Sequence, residues 1–348
     1  MGAGDNQAVE VGAMTTVAFF NNKGGVGKTS LVYHLAWMYA DLGVCAVAAD
    51  LDPQANLTGM FLDDYDADDL WSPDPPRATI HGALLPLLRG TGDIDPPKTM
   101  SPWPPLGLVA GDLALSEAED EFSSQWAQCL DGSERAFRVI TALSRALGRA
   151  REEAEADLVL IDVGPNLGAI NRAALIAADF VVVPLAPDLF SLQGLRNLGP
   201  TLRRWRGQWA SRLTRAAELP GLEGLDMPSG AMKPIGYVVL QHAVRLDRPV
   251  RAYARWMDEI PGEYRESVLD EAAGASVDVS EDENCLATLK HYRSLMPYAQ
   301  EARKPMFKLT SADGAIGGHI NAVQDCYWDF RRLACAVAER CGVTCPQL

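Results

Sequence analysis

No stretch of this 348-residue chain stays apolar for anything near the ~20 residues that a membrane-spanning helix needs. The N-terminus, Met1 to Val11, lacks the basic-then-apolar order of a secretory leader and reads as a disordered lead-in, taken here as residues 1–13. Cysteine is sparse and unpatterned: there are seven, an odd number, and none in C-x-x-C spacing. That argues against a disulfide framework or a zinc site and fits buried or free thiols in a reducing cytosol; Cys341 and Cys345 read as incidental rather than as ligands. Positive charge is in deficit, with 31 basic against 46 acidic residues and a net charge of −15. A chain this acidic has no global attraction for nucleic acid, so any such contact requires a local basic patch. There are no internal repeats and no extended low-complexity tract.

What the chain does have is apolar content, 48% of its residues, arranged in short buried-strand runs that alternate with helical patterns. The runs are Val17–Phe20, Val44–Ala49, Leu106–Ala110, Leu158–Ile161, Phe180–Leu185 and Ile235–Leu240, with a last short strand expected at Met306–Leu309. Helices are predicted over 28–42, 79–88, 113–122, 134–150, from Ser191, over 249–273 and over 319–341. Residues 63–76 are acidic and then Pro-rich and read as a solvated loop; 90–105 and 218–233 are also loop-like. This alternation predicts an α/β fold, a mostly parallel sheet with helices on both faces. Nothing marks a clean interdomain linker, so residues 14–345 read as one domain with helical elaborations around 200–290.

The organising stretch is Asn21-Asn22-Lys23-Gly24-Gly25-Val26-Gly27-Lys28-Thr29-Ser30, set between the first strand and the first helix. Glycines there let backbone N–H groups turn inward and approach phosphates without a Cβ in the way, and the helix N-terminus adds open donors and partial positive charge. Lys28 can reach β/γ-phosphates and the Thr29 hydroxyl can ligate Mg²⁺. Asn22 stands where the usual P-loop pattern wants glycine, and Lys23 adds a second lysine. Downstream, Asp50 and Asp52 end the second strand, in Asp50-Leu51-Asp52-Pro53-Gln54-Ala55-Asn56; they read as ligand-side carboxylates or as a cap before Pro53. Asp162 closes the Leu158–Ile161 run as a Walker B carboxylate would, followed by Gly164-Pro165.

Lys23-Gly24-Gly25-Val26-Gly27-Lys28-Thr29, with the Asp50–Asn56 segment, Asp162 and Pro187-Asp188, resembles the deviant Walker A ATPases of the ParA/MinD family, nearest to the Soj-like ParA partitioning group. The resemblance spans most of 15–341 and thins over 200–290. It implies a P-loop NTPase fold of the SIMIBI type that binds ATP and Mg²⁺ and hydrolyses ATP. It implies nucleotide binding by Lys23, Gly24, Gly25, Val26, Gly27, Lys28, Thr29 and Ser30, with Lys23 reaching a partner's phosphates in an ATP-dependent homodimer. It implies Mg²⁺ held by Thr29, Asp50 and Asp162, the aspartates through waters, and an attacking water positioned by Asp52. Lys23, Lys28 and Asp52 would be the catalytic groups. Pro187 and Asp188 would line the adenine pocket; a plain loop is the alternative. Val163-Gly164-Pro165-Asn166 departs from the family's usual two prolines, and Gln241 stands where Asn or Thr is common.

Arg196, Arg203, Arg204, Arg206, Arg212 and Arg215 fall within twenty residues that contain no acidic side chain, with Trp205 and Trp209 among them. Two readings stay open: a phosphate-backbone contact surface through Arg203, Arg204, Arg206, Arg212 and Arg215, or a helix whose arginines are solvated or paired and whose tryptophans are core. Lys290, Arg293, Arg303, Lys304 and Lys308 form a looser second cluster. The family resemblance implies a cytoplasmic, nucleoid-associated switch that partitions DNA, with nonspecific DNA and an activating protein as partners and no membrane. The alternative is a positioning ATPase that acts on a protein partner without DNA.

Overall fold

Alternation within each strand decides the architecture. In β1 (Thr16–Phe19), Val17 and Phe19 enter one hydrophobic core while Ala18 and the following Phe20 enter another, all fully buried. A strand covered on both faces reads as continuous apolar sequence, which is what the short runs show. The computed structural model describes residues 15–346 apart from 64–65, 67–69, 72–77, 243, 246–247, 250, 273, 275 and 293, with the side chains of 241–254 also outside that description. The expected lead-in, most of the acidic loop at 63–76, the Gln241 side chain and Arg293 lie outside the described residues.

In chain order the elements are β1, α1 (Lys28–Asp41), β2 (Ala46–Asp50), α2 (Asn56–Phe61), α3 (Ile80–Leu88), β3 (Thr99–Trp103), β4 (Leu106–Val109), α4 (Glu119–Gln128), α5 (Glu134–Ile140), α6 (Ala142–Ala154), β5 (Leu158–Asp162), α7 (Ala169–Ile176), β6 (Phe180–Leu185), α8 (Leu189–Ala216), β7 (Lys233–His242), the ribbon β8 (Val244–Arg245) and β9 (Arg248–Pro249), α9 (Arg251–Glu263), β10 (Cys285–Lys290), α10 (Met296–Ala302) and α11 (Gly318–Cys341). Eight strands form one sheet in the order β10-β7-β6-β1-β5-β2-β4-β3, parallel except for β3 at the edge. The mostly parallel α/β fold is therefore as the alternation predicts. Helices α3 to α9 contribute to the core on one face; α1, α10 and α11 contribute to the other.

Four details depart from the sequence reading. Met306–Lys308 is a 3-10 turn, not a strand. The 134–150 helix is two helices that break at Thr141. Strands β3 and β10 occupy segments with no clean alternation. The helix from Ser191 runs to Ala216 and carries the whole arginine run, with Pro200 inside it. Gly199 on α8 explains how the 251–269 elaboration seats: a Cβ there would lie 1.8 Å from Ser267 O, so only glycine allows that approach.

The helix that follows the glycine-rich loop is fastened from behind. Tyr39 Oη donates to Ala334 O at 2.8 Å, tying α1 to α11. His34, 1% exposed, donates from Nδ1 to Ser30 O at 2.6 Å and accepts from the Met306 N–H at Nε2, 3.2 Å away. This pattern is that of one neutral tautomer, and burial holds the imidazole down to about 4 despite the Ser30 carbonyl.

Candidate nucleotide site

The loop between β1 and α1 is built for anion approach. Gly25 and Gly27 have φ of 73° and 86°, the left-handed region that glycine adopts without strain. Gly27 is the N-cap of α1 and no side chain caps that end, so its first N–H groups stay open to a ligand. Val26, 2% exposed, anchors the turn in the core. Asn21 fixes the base of the loop: Nδ2 donates to Pro184 O at 2.8 Å and Oδ1 accepts from Lys23 N at 3.0 Å. Sequence reasoning assigns Asn21 no role of its own, and its position just before the glycines is the available signal.

Lys28 is 7% exposed, and its Nζ donates to Asn21 O at 3.1 Å and Lys23 O at 3.3 Å. Burial holds its pKa below the ordinary lysine range, with Asp162 and Asp52 pulling upward. The ammonium is thus placed inside the loop and faces carboxylates. Thr29 and Ser30 follow on the first turn of α1, half-buried.

The carboxylates converge because the strands are in register. Asp50 of β2 sits opposite Asp162 of β5, which in turn pairs with Phe19 of β1. Both aspartates are fully buried. Asp50 Oδ2 accepts from Thr58 N at 2.8 Å and Thr58 Oγ1 at 2.7 Å, whereas its Oδ1 has no partner. Both oxygens of Asp162 are buried without a hydrogen bond. Burial pushes the Asp162 pKa well up and Asp50 adds to it; the nearby Thr29 hydroxyl and Lys28 pull back, Thr29 falling short of a geometrically full hydrogen bond. Burial likewise raises Asp50, against its Thr58 hydrogen bonds. Buried acceptors without donors are costly, and a divalent cation beside Thr29 would relieve them. The residues therefore fit Mg²⁺. Among the described residues no group of three or more His, Cys, Asp or Glu forms a metal cage, as expected of an ion held mostly by phosphate and water.

Asp52, 7% exposed, accepts from Gln54 N at 3.0 Å and packs against Gly164, where a Cβ would lie 3.2 Å from Asp52 Oδ1. The turn after β5 is pinned by Asn171, whose Nδ2 donates to Gly164 O and Asn166 O, each at 2.8 Å. Glu119 of α4 accepts from Ala169 N at 2.5 Å and Ile170 N at 3.1 Å and so caps α7. Thr58, Asn171 and Glu119 give no sequence signal, because their role depends on which strands become neighbours.

A cavity of about 110 Å³ opens beside the loop, walled by Gly27, Ser30, Leu31, Leu240, Leu289, Tyr292, Met306 and Phe330 among others. Pro187 and Asp188 are not in its lining. Asp188 instead caps α8, accepting from Ser191 N at 2.9 Å, and forms an ion pair with Lys23 of its own chain.

Comparison with known proteins gives the family and the fold. A family model described as an AAA domain matches residues 14–214, more than half of the chain. The chain belongs to the ParA/MinD-type P-loop ATPase family. The chromosome partitioning protein ParA of Caulobacter vibrioides is 30% identical over 201 residues, 58% of this chain and 66% of that relative's length, a little under two thirds. Protein DIP2308 of Corynebacterium diphtheriae aligns with a TM-score of 0.64 at 24% identity, over 94% of this chain and 98% of its own. McdA of Cyanothece, solved as a point variant in complex with ATP, aligns at TM-score 0.57 and 16% identity, over 96% and 99%; these structural likenesses bear on the fold alone.

The arginine run turns out largely spoken for. Arg203 Nη1 donates to Ser267 O at 3.0 Å and its Nη2 pairs with Asp270; Arg212, 4% exposed, donates to Trp126 O at 2.9 Å and stacks 3.7 Å over the Trp126 ring; Arg215 pairs with Glu218 at 2.6 Å. Arg196 pairs with Glu263. Of the two readings, these contacts favour paired arginines: Glu263 of α9, the 264–270 segment, Trp126 of α4 and Glu218 hold these side chains, and Trp205 and Trp209 are core. Arg204 is exposed, and Arg206 is half-buried with an Nε that has no acceptor.

Proposed function

We propose that this chain is a Mg²⁺-dependent ATPase that works as a dimerisation switch, with the ATP-bound dimer acting in DNA partitioning. The observation that carries the reading is the convergence of Lys28, the uncapped Gly27 terminus and the partnerless Asp162 oxygens on one turn. The loop N–H groups and Lys28 bind the triphosphate, and the apolar cavity beside Gly27 and Leu240 takes the base. When bound, Mg²⁺ would sit by Thr29, Asp50 and Asp162 and supply positive charge to the β- and γ-phosphate oxygens. Asp52, beside Gly164, orients the water. Lys28 and Lys23 of a partner subunit offset the charge that develops on the leaving oxygens, so the protein contributes position and electrostatics rather than covalent steps. No helix among the described residues is long and apolar enough to cross a membrane, and the site of action we assign is the cytoplasm, on the nucleoid.

DNA contact would fall to Arg204 and Arg206. The ion pairs of Arg196, Arg203 and Arg215, together with the charge of −15, favour a second reading, a protein-directed positioning ATPase. Sedimentation of wild type and Lys23→Ala with Mg·ATP, then addition of a long duplex at several salt concentrations, separates these. ATP-dependent dimers lost in Lys23→Ala, with salt-sensitive DNA binding, are the expected outcome. Dimers without DNA binding at low salt select the second reading. Dimers that persist in Lys23→Ala sink the cross-subunit role.

A further inference from the structure

The two buried carboxylates of the site are held very differently. Asp162 has no full hydrogen bond on either oxygen, whereas Asp50 takes two from one residue, Thr58 of α2, both on Oδ2. Thr58 N lies 2.8 Å and Thr58 Oγ1 2.7 Å from that oxygen, and both residues are fully buried. The direction of the hydroxyl bond is fixed. The Gly111 N–H donates to Thr58 Oγ1 at 2.8 Å, so the hydroxyl's one hydrogen goes to Asp50. Gly111 is itself held, since Trp71 Nε1 donates to its carbonyl at 3.0 Å. It also lies so near the carboxylate that a Cβ there would come 2.7 Å from Asp50 Cγ. The turn that brings α2 back onto the end of β2 is strained. Ala55, the N-cap of α2, is 2% exposed and has φ of 52°, a left-handed conformation unusual for alanine. Such a residue persists where surrounding contacts over-determine the backbone, and the Thr58–Asp50 bonds are contacts of that kind.

We propose that Thr58, backed by the Gly111 peptide, is a positioning residue that turns Asp50 so that Oδ1 is left for Mg²⁺ and its waters. This rests on the metal reading above and adds to it the device that aims one carboxylate. Oδ1 is the oxygen of Asp50 without a partner, on the strand position opposite Asp162. Without the hydroxyl, Asp50 keeps the Thr58 N–H but loses its second hold, and the Gly111 N–H loses its acceptor. The carboxylate is then free to rotate, and the aim of Oδ1 is lost. Hydrogen-bond partners that orient a metal-binding group are typically worth about 10- to 100-fold in metal affinity.

Three variants test it. Thr58→Val keeps the branched shape and removes the hydroxyl, Thr58→Ser keeps the hydroxyl and removes the methyl, and Gly111→Ala keeps Thr58 and pushes on Asp50. Mn²⁺ serves as the probe in place of Mg²⁺. Its free fraction is read by electron paramagnetic resonance with a non-hydrolysable ATP analogue, against a control without protein. Calorimetry gives the analogue's affinity at saturating Mg²⁺, and denaturant melts check folding. Thr58→Val and Gly111→Ala are expected to raise the half-saturating Mn²⁺ concentration about 10- to 100-fold. Thr58→Ser should return it to the wild-type value, and Thr58→Val should keep the wild-type affinity for the analogue once Mg²⁺ saturates. A folded Thr58→Val that holds Mn²⁺ as the wild type does overturns the proposal. So does a Thr58→Ser as weak as Thr58→Val, because the hydroxyl is then not what acts. Loss of analogue affinity in Thr58→Val even at saturating Mg²⁺ makes the residue a general support of the loop and overturns it too. If Thr58→Val does not fold, Gly111→Ala decides, and wild-type Mn²⁺ binding there is the contrary result. A wild type that binds the analogue equally with and without metal is a failure of the metal reading itself, visible before any variant is made, and it takes the positioning role with it.

Discussion

The nucleotide site and the long helix α8 carry equally conspicuous sequence signals, but they were decided by different physics. At the site, local spacing fixes geometry. A glycine-rich turn between strand and helix leaves few conformations, and parallel strands in register bring Asp50 and Asp162 opposite each other. On α8, six arginines within twenty residues say only that charge is present. Whether a guanidinium reaches solvent or a backbone carbonyl depends on what packs against the helix, and here α9, the 264–270 segment and α4 claimed three of the six, while Glu218, just past the helix's own end, claimed a fourth. Short-range patterns are thus legible where the backbone itself is the functional group, and poorly legible where a long side chain chooses among distant partners.

That contrast can be broken or sharpened by substitution. On the site side, Asp52→Ala should still bind ATP and dimerise but hydrolyse about 100-fold or more slowly; phosphate release near the wild-type rate would remove Asp52 from the reaction. Behind the same loop, His34 offers a pH test. Its folded-state pKa of about 4 lies below the ordinary 6.5, so between those values the unfolded chain binds a proton that the folded chain refuses. Stability contributed by the neutral ring is therefore fully present above about pH 6.5 and is lost as pH falls toward 4, by about 2–3 kcal/mol. Denaturant melts of wild type and His34→Leu at pH 7.5 and 4.5 check this. The wild type should lose more, because the leucine variant lacks that proton uptake; an equal loss would place the acid sensitivity elsewhere.

On the α8 side, Gly199→Ala should destabilise by about 2 kcal/mol, because the new methyl meets the Ser267 carbonyl and forces the 264–269 turn away. An unchanged melting temperature would mean that the elaboration seats differently. The smallest effect is expected from Arg204→Glu with Arg206→Glu: about a tenfold loss of DNA affinity at low salt, and a shallower salt dependence. If reversing Arg203 instead gave the larger loss together with normal stability, the ion pair to Asp270 would not be its role.

The alternating apolar runs carried the sheet, six of its eight strands and the two covered faces. The edge strand β3 and the outer strand β10 were hidden because Thr99–Trp103 holds a proline and Cys285–Lys290 is only partly buried, so neither shows a clean period. Within the site, Lys28, Asp50, Asp52 and Asp162 stand out by residue type and spacing. Asn21, Thr58 and Asn171 do not, since each acts by bonding backbone or carboxylate that only folding brings near. The Lys23–Asp188 pair spans 165 residues and follows from the adjacency of β1 and β6.

Titration calorimetry of the wild type with ATP in the presence of Mg²⁺ tests the central claim most directly. The account predicts one saturable site per chain, with affinity reduced about 100-fold or more in Lys28→Ala, which loses the buried ammonium. Absence of saturable heat from the wild type, or equal binding by Lys28→Ala, would contradict it.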